Sequence, residues 1–226
     1  MNQVMTFSAT GDSFVTRCHL KQDSEFQKVK EVIRSAQARF TNLEVTIHDM
    51  EGFPSAQSGG TWAVASPKTL DSIKDYGFNL IGTANNHALD YSYGGLEATL
   101  KHLDEYELVH TGTGRNLSEA GQPVYLDCPS GRVALISITS SFHESWVAGE
   151  QRKDVPGRPG VNPLRFSTTY LCKTEEFDAL KKIAHLTGIN SYVSCRNFKR
   201  MSSCSDSILS RKASFPVWKQ NLWKKT

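Results

Sequence analysis

The feature that most constrains this chain of 226 residues is an apolar run that stops abruptly in a cluster of polar side chains. Residues 78–81 have the apolar character of a buried strand, and two asparagines, a histidine and an aspartate follow within residues 85–90. Residues 96–103 then place leucines at helical spacing. The sequence therefore predicts a polar cluster between a strand and a helix, where ligands bind in α/β sheets. The alternative is a polar turn whose amides satisfy only local backbone groups.

The rest of the first 190 residues alternates strand patterns with helix patterns. Strands are predicted over residues 4–10, 40–47 and 108–110, a hairpin over 124–127 and 132–139, and helices over 23–36, 67–76 and 175–187. Ser66 is predicted to cap the second of these helices, and Gly77 and Gly188 are predicted to end helices. This order predicts an α/β fold, a layered sheet flanked by helices.

Charge separates the end of the chain from the rest. Residues 191–226 carry a net charge of +7 and residues 1–190 a net charge of −4, within a total of +3. We predict one domain over residues 1–190 and a basic, Ser/Lys-rich and poorly ordered tail over residues 191–226. The net positive charge belongs to the tail and says little about what the domain binds, and no nucleic-acid partner is predicted.

The sequence also bears on the compartment. The five cysteines are odd in number and form no C-x-x-C pair, so a disulfide framework is not predicted. No signal peptide and no apolar run of membrane-spanning length are recognised. A cytoplasmic location is therefore predicted, with peripheral membrane association as an alternative.

Polar side chains stand at the ends of three predicted strands: Asp12, then Asn42 with Glu44, then Asn86 with His87. If these strands are parallel neighbours, their ends meet at one edge of the sheet. Carboxylate, amide and imidazole ligands suit a divalent ion such as Mn²⁺, Zn²⁺ or Mg²⁺. A pair of such ions can clamp a phosphoryl group and activate water.

Further side chains are candidates to support that chemistry. Asp90 is predicted to orient the imidazole, and Asn85 is assigned to substrate binding. Arg158 and Arg165, in a loop rich in glycine and proline, are candidates to bind an anionic group of the substrate. The alternative for both arginines is a solvated loop with local ion pairs.

Three motifs carry a resemblance to a known family. Thr10-Gly11-Asp12, residues 40–44 and residues 84–91 followed by 94–96 resemble motifs of the CapA-type proteins of bacterial capsule and poly-γ-glutamate synthesis. The fold of that family is similar to the calcineurin-like metallophosphatase fold. The resemblance covers roughly residues 4–190, and residues 85–90 are its most specific part.

The resemblance implies roles for particular residues. Asp12 matches the first metal-binding carboxylate, Asn42 and Glu44 stand in the second motif, and Asn86 matches a metal ligand. His87 matches a histidine that contacts the phosphate, and with Asp90 it forms the predicted catalytic pair. The sequence also departs from the family: Phe14 stands where the phosphatase motif has a histidine, and two later histidine motifs are absent.

Because of those departures, the fold is expected to be incomplete at its C-terminus, truncated or divergent. The predicted function is that of a CapA-like protein with a metal-dependent, hydrolase-like site for a phosphoester or an anionic polymer. Capsule-synthesis proteins are the expected partners. The alternatives are a non-catalytic partner or polymer-binding component, and a truncated, inactive product.

Overall fold

A computed structural model of the chain describes residues 4–18, 24–166 and 173–188. The chain divides into two compact units, Met1–Leu164 and Arg165–Thr226. The tail predicted over residues 191–226 lies outside the described residues, so its disorder stays a prediction. Within the described residues, no helix has both the length and the apolar character needed to cross a bilayer.

The first unit contains ten strands and four α-helices among its described residues. In chain order they are β1 (Phe7–Ser13), α1 (Ser24–Arg34), β2 (Ala38–Leu43), β3 (Thr46–Ile47), β4 (Val64–Ala65), α2 (Thr69–Tyr76), β5 (Leu80–Gly82), α3 (Ser92–Glu105), β6 (His110–Thr111), β7 (Thr113–Gly114), α4 (Leu117–Ala120), β8 (Val124–Cys128), β9 (Gly131–Leu135) and β10 (Gly160–Val161). A 3₁₀ turn, Glu144–Trp146, lies between β9 and β10. The described part of the second unit contains α5 (Thr174–Thr187).

The centre of the first unit is a four-stranded parallel sheet in the order β1-β2-β5-β6. The register pairs Asp12 with Asn42, and Asn42 with Gly82. Gly82 in turn pairs with Thr111. The carboxyl ends of all four strands therefore lie side by side, as the alternation of strands and helices predicts for a parallel sheet.

Apolar side chains from the sheet and its helices form the main core. α1, α2 and α3 contribute Ile33, Leu70 and Leu103 to a buried cluster that also contains Leu43 and Ile81 of the sheet. The β5 side chains are wholly buried, which is why this strand lacks the polar alternation of a solvent-facing strand. This packing fixes the strand ends on which the polar residues stand.

The structure confirms several element predictions and corrects others. Gly77 and Gly188 follow α2 and α5 in left-handed conformations, at φ 93° and φ 67°. The strand predicted over residues 40–47 is wrong as one element, because β2 ends at Leu43 and β3 pairs with β4 instead. The capping role of Ser66 is also wrong, since α2 begins at Thr69 and no side chain caps it.

Candidate functional site

The first part of the site lies where β1 and β2 end. The Nδ2 of Asn42 donates a hydrogen bond of 2.7 Å to Oδ1 of Asp12. Directly after β2, the backbone N–H of Glu44 donates to the carbonyl oxygen of Ser13 at 3.3 Å. Side chains alternate between the two faces of an extended chain. Leu43 is buried on one face, and Asn42 and Glu44 are half-buried on the other.

Asn85 joins these strand ends to the turn that follows β5. Its Nδ2 donates to Oδ1 of Asn42 at 3.1 Å and to the carbonyl oxygen of Leu43 at 2.8 Å. Its Oδ1 accepts the backbone N–H of His87 at 3.0 Å. Through these bonds Asn85 positions the turn, and its assignment to substrate binding stays a prediction.

His87 and Asp90 form a buried pair in the same turn. The imidazole Nδ1 lies 2.7 Å from Oδ2 of Asp90, whose residue is 0% exposed, while His87 is 7% exposed. Backbone N–H groups of Gly59 and Ala63 also donate to this carboxylate, at 3.2 Å and 2.8 Å. A carboxylate only accepts, so the hydrogen on the imidazole is assigned to Nδ1 and the lone pair to Nε2.

The electrostatics of Glu44 link the two parts of the site. Burial, the charge of Asp12 and a hydrogen bond with Asp12 raise the pKa of Glu44 above its usual value of 4.5, and the charge of Asp90 adds to this. The charge of His87 acts in the opposite direction. Glu44 is therefore within electrostatic reach of Asp12, His87 and Asp90, and the structure brings together groups that lie far apart in the sequence.

Replacing Glu44 with glutamine is expected to leave the protein at least as stable as the parent at pH 7. A raised folded-state pKa means that the protonated carboxyl stabilises the fold below about pH 4.5, and that this contribution is lost as pH rises through the folded-state pKa. The neutral amide avoids the cost of ionisation, so the advantage of Glu44→Gln should shrink as pH falls. Urea unfolding at several pH values measures this, and a variant much less stable than the parent at pH 7 would contradict it.

Phe14 covers part of the imidazole. Its ring meets that of His87 edge-on, with centroids 5.6 Å apart, while Phe14 itself remains 45% exposed. The side chain at the position where the phosphatase motif has a histidine is thus an aromatic neighbour of His87 and supplies no ligand atom.

Sequence reasoning missed the loop that follows β3 and reaches Asp90. Besides Gly59 and Ala63, Ser55 donates its backbone N–H to the carbonyl oxygen of Asp90 at 2.8 Å. Backbone donors carry no side-chain signature, and the only signal was the glycine pair at residues 59–60.

Asn86 also bonds this loop, its Nδ2 donating to the carbonyl oxygen of Gly59 at 3.0 Å. The amide oxygen is therefore the atom that Asn86 has left to act as a ligand.

A Gly59→Ala variant is expected to be about 1–3 kcal/mol less stable than the parent. A Cβ on Gly59 would overlap the backbone oxygen and the side-chain nitrogen of Asn86, and the backbone atom cannot move aside alone. Gly11→Ala is the matched control, since a Cβ there has no atom within 4 Å apart from those of its own residue and its two chain neighbours. Equal unfolding free energies for the two variants would show that the loop is not packed this tightly.

The two arginines assigned to substrate binding lie in the part of the chain that follows β9. The Nε of Arg158 donates to the carbonyl oxygen of Val147 at 2.9 Å, and its backbone pairs with Gly149. Arg165 is exposed and begins the second unit. Their assignment to substrate binding stays a prediction.

The oxygen atoms of the site can be tested as metal ligands. Asp12 and Glu44 supply the carboxylates that Mg²⁺ and Mn²⁺ prefer, and Mg²⁺ is usually bound through one or two carboxylates, with water completing its coordination. In the part of the chain that the structure describes, no three His, Cys, Asp or Glu side chains are arranged to hold a metal ion. Within the described residues, the donor set fits a hydrated hard cation on two carboxylates.

Known proteins similar to this chain agree with the motifs. Protein y4uA of Sinorhizobium fredii (strain NBRC 101917 / NGR234) is 35% identical over 182 residues, which are 79% of this chain and 40% of that protein. Capsule biosynthesis protein CapA of Bacillus anthracis is 28% identical over 171 residues, 72% of this chain and 40% of that protein. PGA biosynthesis protein CapA of Bacillus subtilis (strain 168) is 25% identical over 172 residues, 73% of this chain and 44% of that protein.

The chain spans about two fifths of the length of these curated relatives. A sequence model of a family described as bacterial capsule synthesis protein PGA_cap matches residues 5–190. The resemblance drawn from the motifs is confirmed, and the chain belongs to the PGA_cap family of bacterial capsule synthesis proteins.

Proposed function

We propose that this chain is a CapA-like component of capsule or poly-γ-glutamate synthesis, with a cation-dependent, hydrolase-like site at the ends of its parallel strands. Membership of the PGA_cap family and the names of the two Bacillus relatives support the role in capsule synthesis. The convergence of Asp12, Glu44 and His87 at one sheet edge is the observation that carries the proposed chemistry. The parallel sheet flanked by helices also supports a metallophosphatase-like architecture.

The residues at the strand ends would bind both a cation and an anionic substrate group. Asp12 and Glu44, with the amide oxygens of Asn42 and Asn86, would hold a divalent cation that supplies positive charge against a phosphoester or a carboxylate-rich polymer. A cation there would also favour the ionised form of Glu44, whose pKa is raised by burial and by Asp12.

His87 supplies proton transfer in this proposal. Asp90 holds Nδ1, so Nε2 is the atom that can take a proton from water or give one to a leaving group. Asp90 is wholly buried, so it acts through His87 as a positioning residue and does not touch substrate. Phe14 and Asn85 fix the ring and the turn around it.

A non-catalytic, polymer-binding role is the second candidate. It is favoured by Phe14, which offers no ligand atom, and by the lack of any three metal-ligating side chains in one group among the described residues. In that case the strand-end carboxylates and amides would hold a cation, and the cation would bind the anionic polymer without turnover.

The test compares the parent with Asp12→Asn and Glu44→Gln on the phosphodiester bis(p-nitrophenyl) phosphate in the presence of Mg²⁺ or Mn²⁺. The proposal expects turnover by the parent and a loss of about 10²–10³-fold in each variant, because each removes charge that binds the cation. Asp104→Asn, an exposed carboxylate paired with His110, is the control. Equal turnover in all four proteins would refute the site, and retention of poly-γ-glutamate on the parent without turnover would favour the second candidate.

A further inference from the structure

A second group of titratable side chains surrounds His102 of α3. The Nδ1 of His102 lies 2.8 Å from Oε2 of Glu105, and its Nε2 lies 3.5 Å from Oε1 of Glu51. Among the described residues, that Nε2 is buried and has no hydrogen-bond partner. Because the Glu105 carboxylate accepts a hydrogen bond from Nδ1, Nε2 of the neutral imidazole carries only a lone pair, and this lone pair faces the carboxylate of Glu51.

Two acceptors that face each other repel, whereas a proton on Nε2 would make a charge-assisted hydrogen bond to Glu51. We infer that His102 acts as a proton-operated latch: when its Nε2 carries a proton it binds Glu51, and Glu51 then holds the loop of residues 48–63 against the His87–Asp90 pair. Its consequence for catalysis rests on the proposed function, but the latch itself is a property of the loop.

Glu51 is built into the start of this loop. Its Oε2 accepts the backbone N–H of Asp49 at 2.5 Å, and Nδ1 of His48 accepts the backbone N–H of Met50 at 3.1 Å. Met50 adopts a left-handed conformation at φ 67°, which is strained for a residue with a side chain. The turn therefore depends on these side-chain contacts to keep its shape.

The far part of the same loop holds the catalytic pair. Ser55 donates to the backbone of Asp90, and the N–H groups of Gly59 and Ala63 donate to its carboxylate. Residues 48–63 are thus anchored near their start by Glu51 and near their end by Asp90. Weakening the contact of Glu51 should let the hydrogen bonds from the loop to Asp90 break more often.

The groups that face His102 favour this assignment. They are Glu51 from the loop, Glu105 from the same helix with Lys101 beside it, and His48, which also interacts with the charge of Asp49. Desolvation opposes ionisation of Glu51, but backbone donors at Glu51 and Asp49 and the contact with His102 outweigh it and lower its pKa. Burial lowers the pKa of His48. The surroundings therefore favour the charged form of Glu51 and the neutral form of His48.

The experiment measures amide hydrogen exchange of Gly59 and Ala63 by NMR, as protection factors corrected for the intrinsic rate at each pH. In the parent, protection should fall about tenfold or more as rising pH removes the proton from Nε2 of His102 and with it the hydrogen bond to Glu51. In Glu51→Gln the pH dependence of protection should invert, so that protection is higher at high pH than at low pH. The amide can donate to the neutral Nε2, whereas its N–H groups repel the protonated form.

Two further variants complete the test. His102→Gln offers Glu51 an amide donor at every pH and should give high protection without pH dependence. His110→Gln changes a histidine that pairs with Asp104 and should behave as the parent. Protection independent of pH in the parent, or a Glu51→Gln variant with the parent's pH dependence, would overturn the latch. None of these readouts involves turnover or a cation, so the latch and the hydrolase-like site fail separately.

Discussion

An Asp90→Ala variant is expected to lose about 3–5 kcal/mol of unfolding free energy. Asp90 is wholly buried, and its carboxylate accepts from His87, Gly59 and Ala63. Alanine leaves all three donors buried without an acceptor, and each orphaned donor costs about 1–3 kcal/mol before the loop relaxes. The loss should exceed that of any exposed carboxylate in the chain.

Urea unfolding of the parent and the variant measures this loss. Asp104→Ala is the matched control: its carboxylate also bonds a histidine, His110 at 3.0 Å, but its side chain is 75% exposed. Exposed pairs of this kind contribute about 0–1 kcal/mol. An Asp90→Ala variant as stable as Asp104→Ala would show that the loop and the turn are not joined through this carboxylate.

The second large effect is expected at His87. His87→Asn places an amide nitrogen near the position of Nδ1, so that the bond to Asp90 can be kept, but it removes the Nε2 atom. If His87 transfers a proton at Nε2, turnover of a phosphodiester substrate should fall by about 10²–10⁴-fold. The fold itself should change little, because the buried carboxylate keeps a donor.

Steady-state kinetics at saturating substrate, with unfolding free energies measured in parallel, separate the two effects. His143→Asn is the control, because His143 is exposed and bonds only Ser145 among its side-chain partners in the described structure. A His87→Asn variant that keeps the parent's turnover would remove His87 from the proposed chemistry and leave it a structural role.

The convergence of the strand ends was accessible from the sequence. Parallel strands joined by helices bring their carboxyl ends to one edge, so polar residues placed there meet even when they lie far apart in the chain. Asp12, Asn42 and Asn85 illustrate this, since register and hydrogen bonds now connect them. The helix ends at Gly77 and Gly188 could also be predicted from the local sequence, because glycine tolerates the left-handed conformation that ends a helix.

What the sequence did not reveal depends on contacts made by the backbone or over long separations. The pairing of β3 with β4 divides what had looked like one strand, and the donors from Gly59 and Ala63 to Asp90 are backbone groups that any residue except proline carries. The approach of Glu51 to His102 joins a loop residue to a helix residue 51 positions later in the chain. Neither composition nor periodicity encodes such contacts.

The most direct test of the strand-end site is a Mn²⁺ titration of isotope-labelled protein, followed by paramagnetic broadening of the amide signals. A cation held by Asp12 and Glu44 should broaden first the amides of residues 12–14, 42–44 and 85–87, and an Asp12→Asn, Glu44→Gln double variant should lose that broadening. Broadening centred elsewhere, or the same pattern in the double variant, would contradict a single site formed by the ends of these strands.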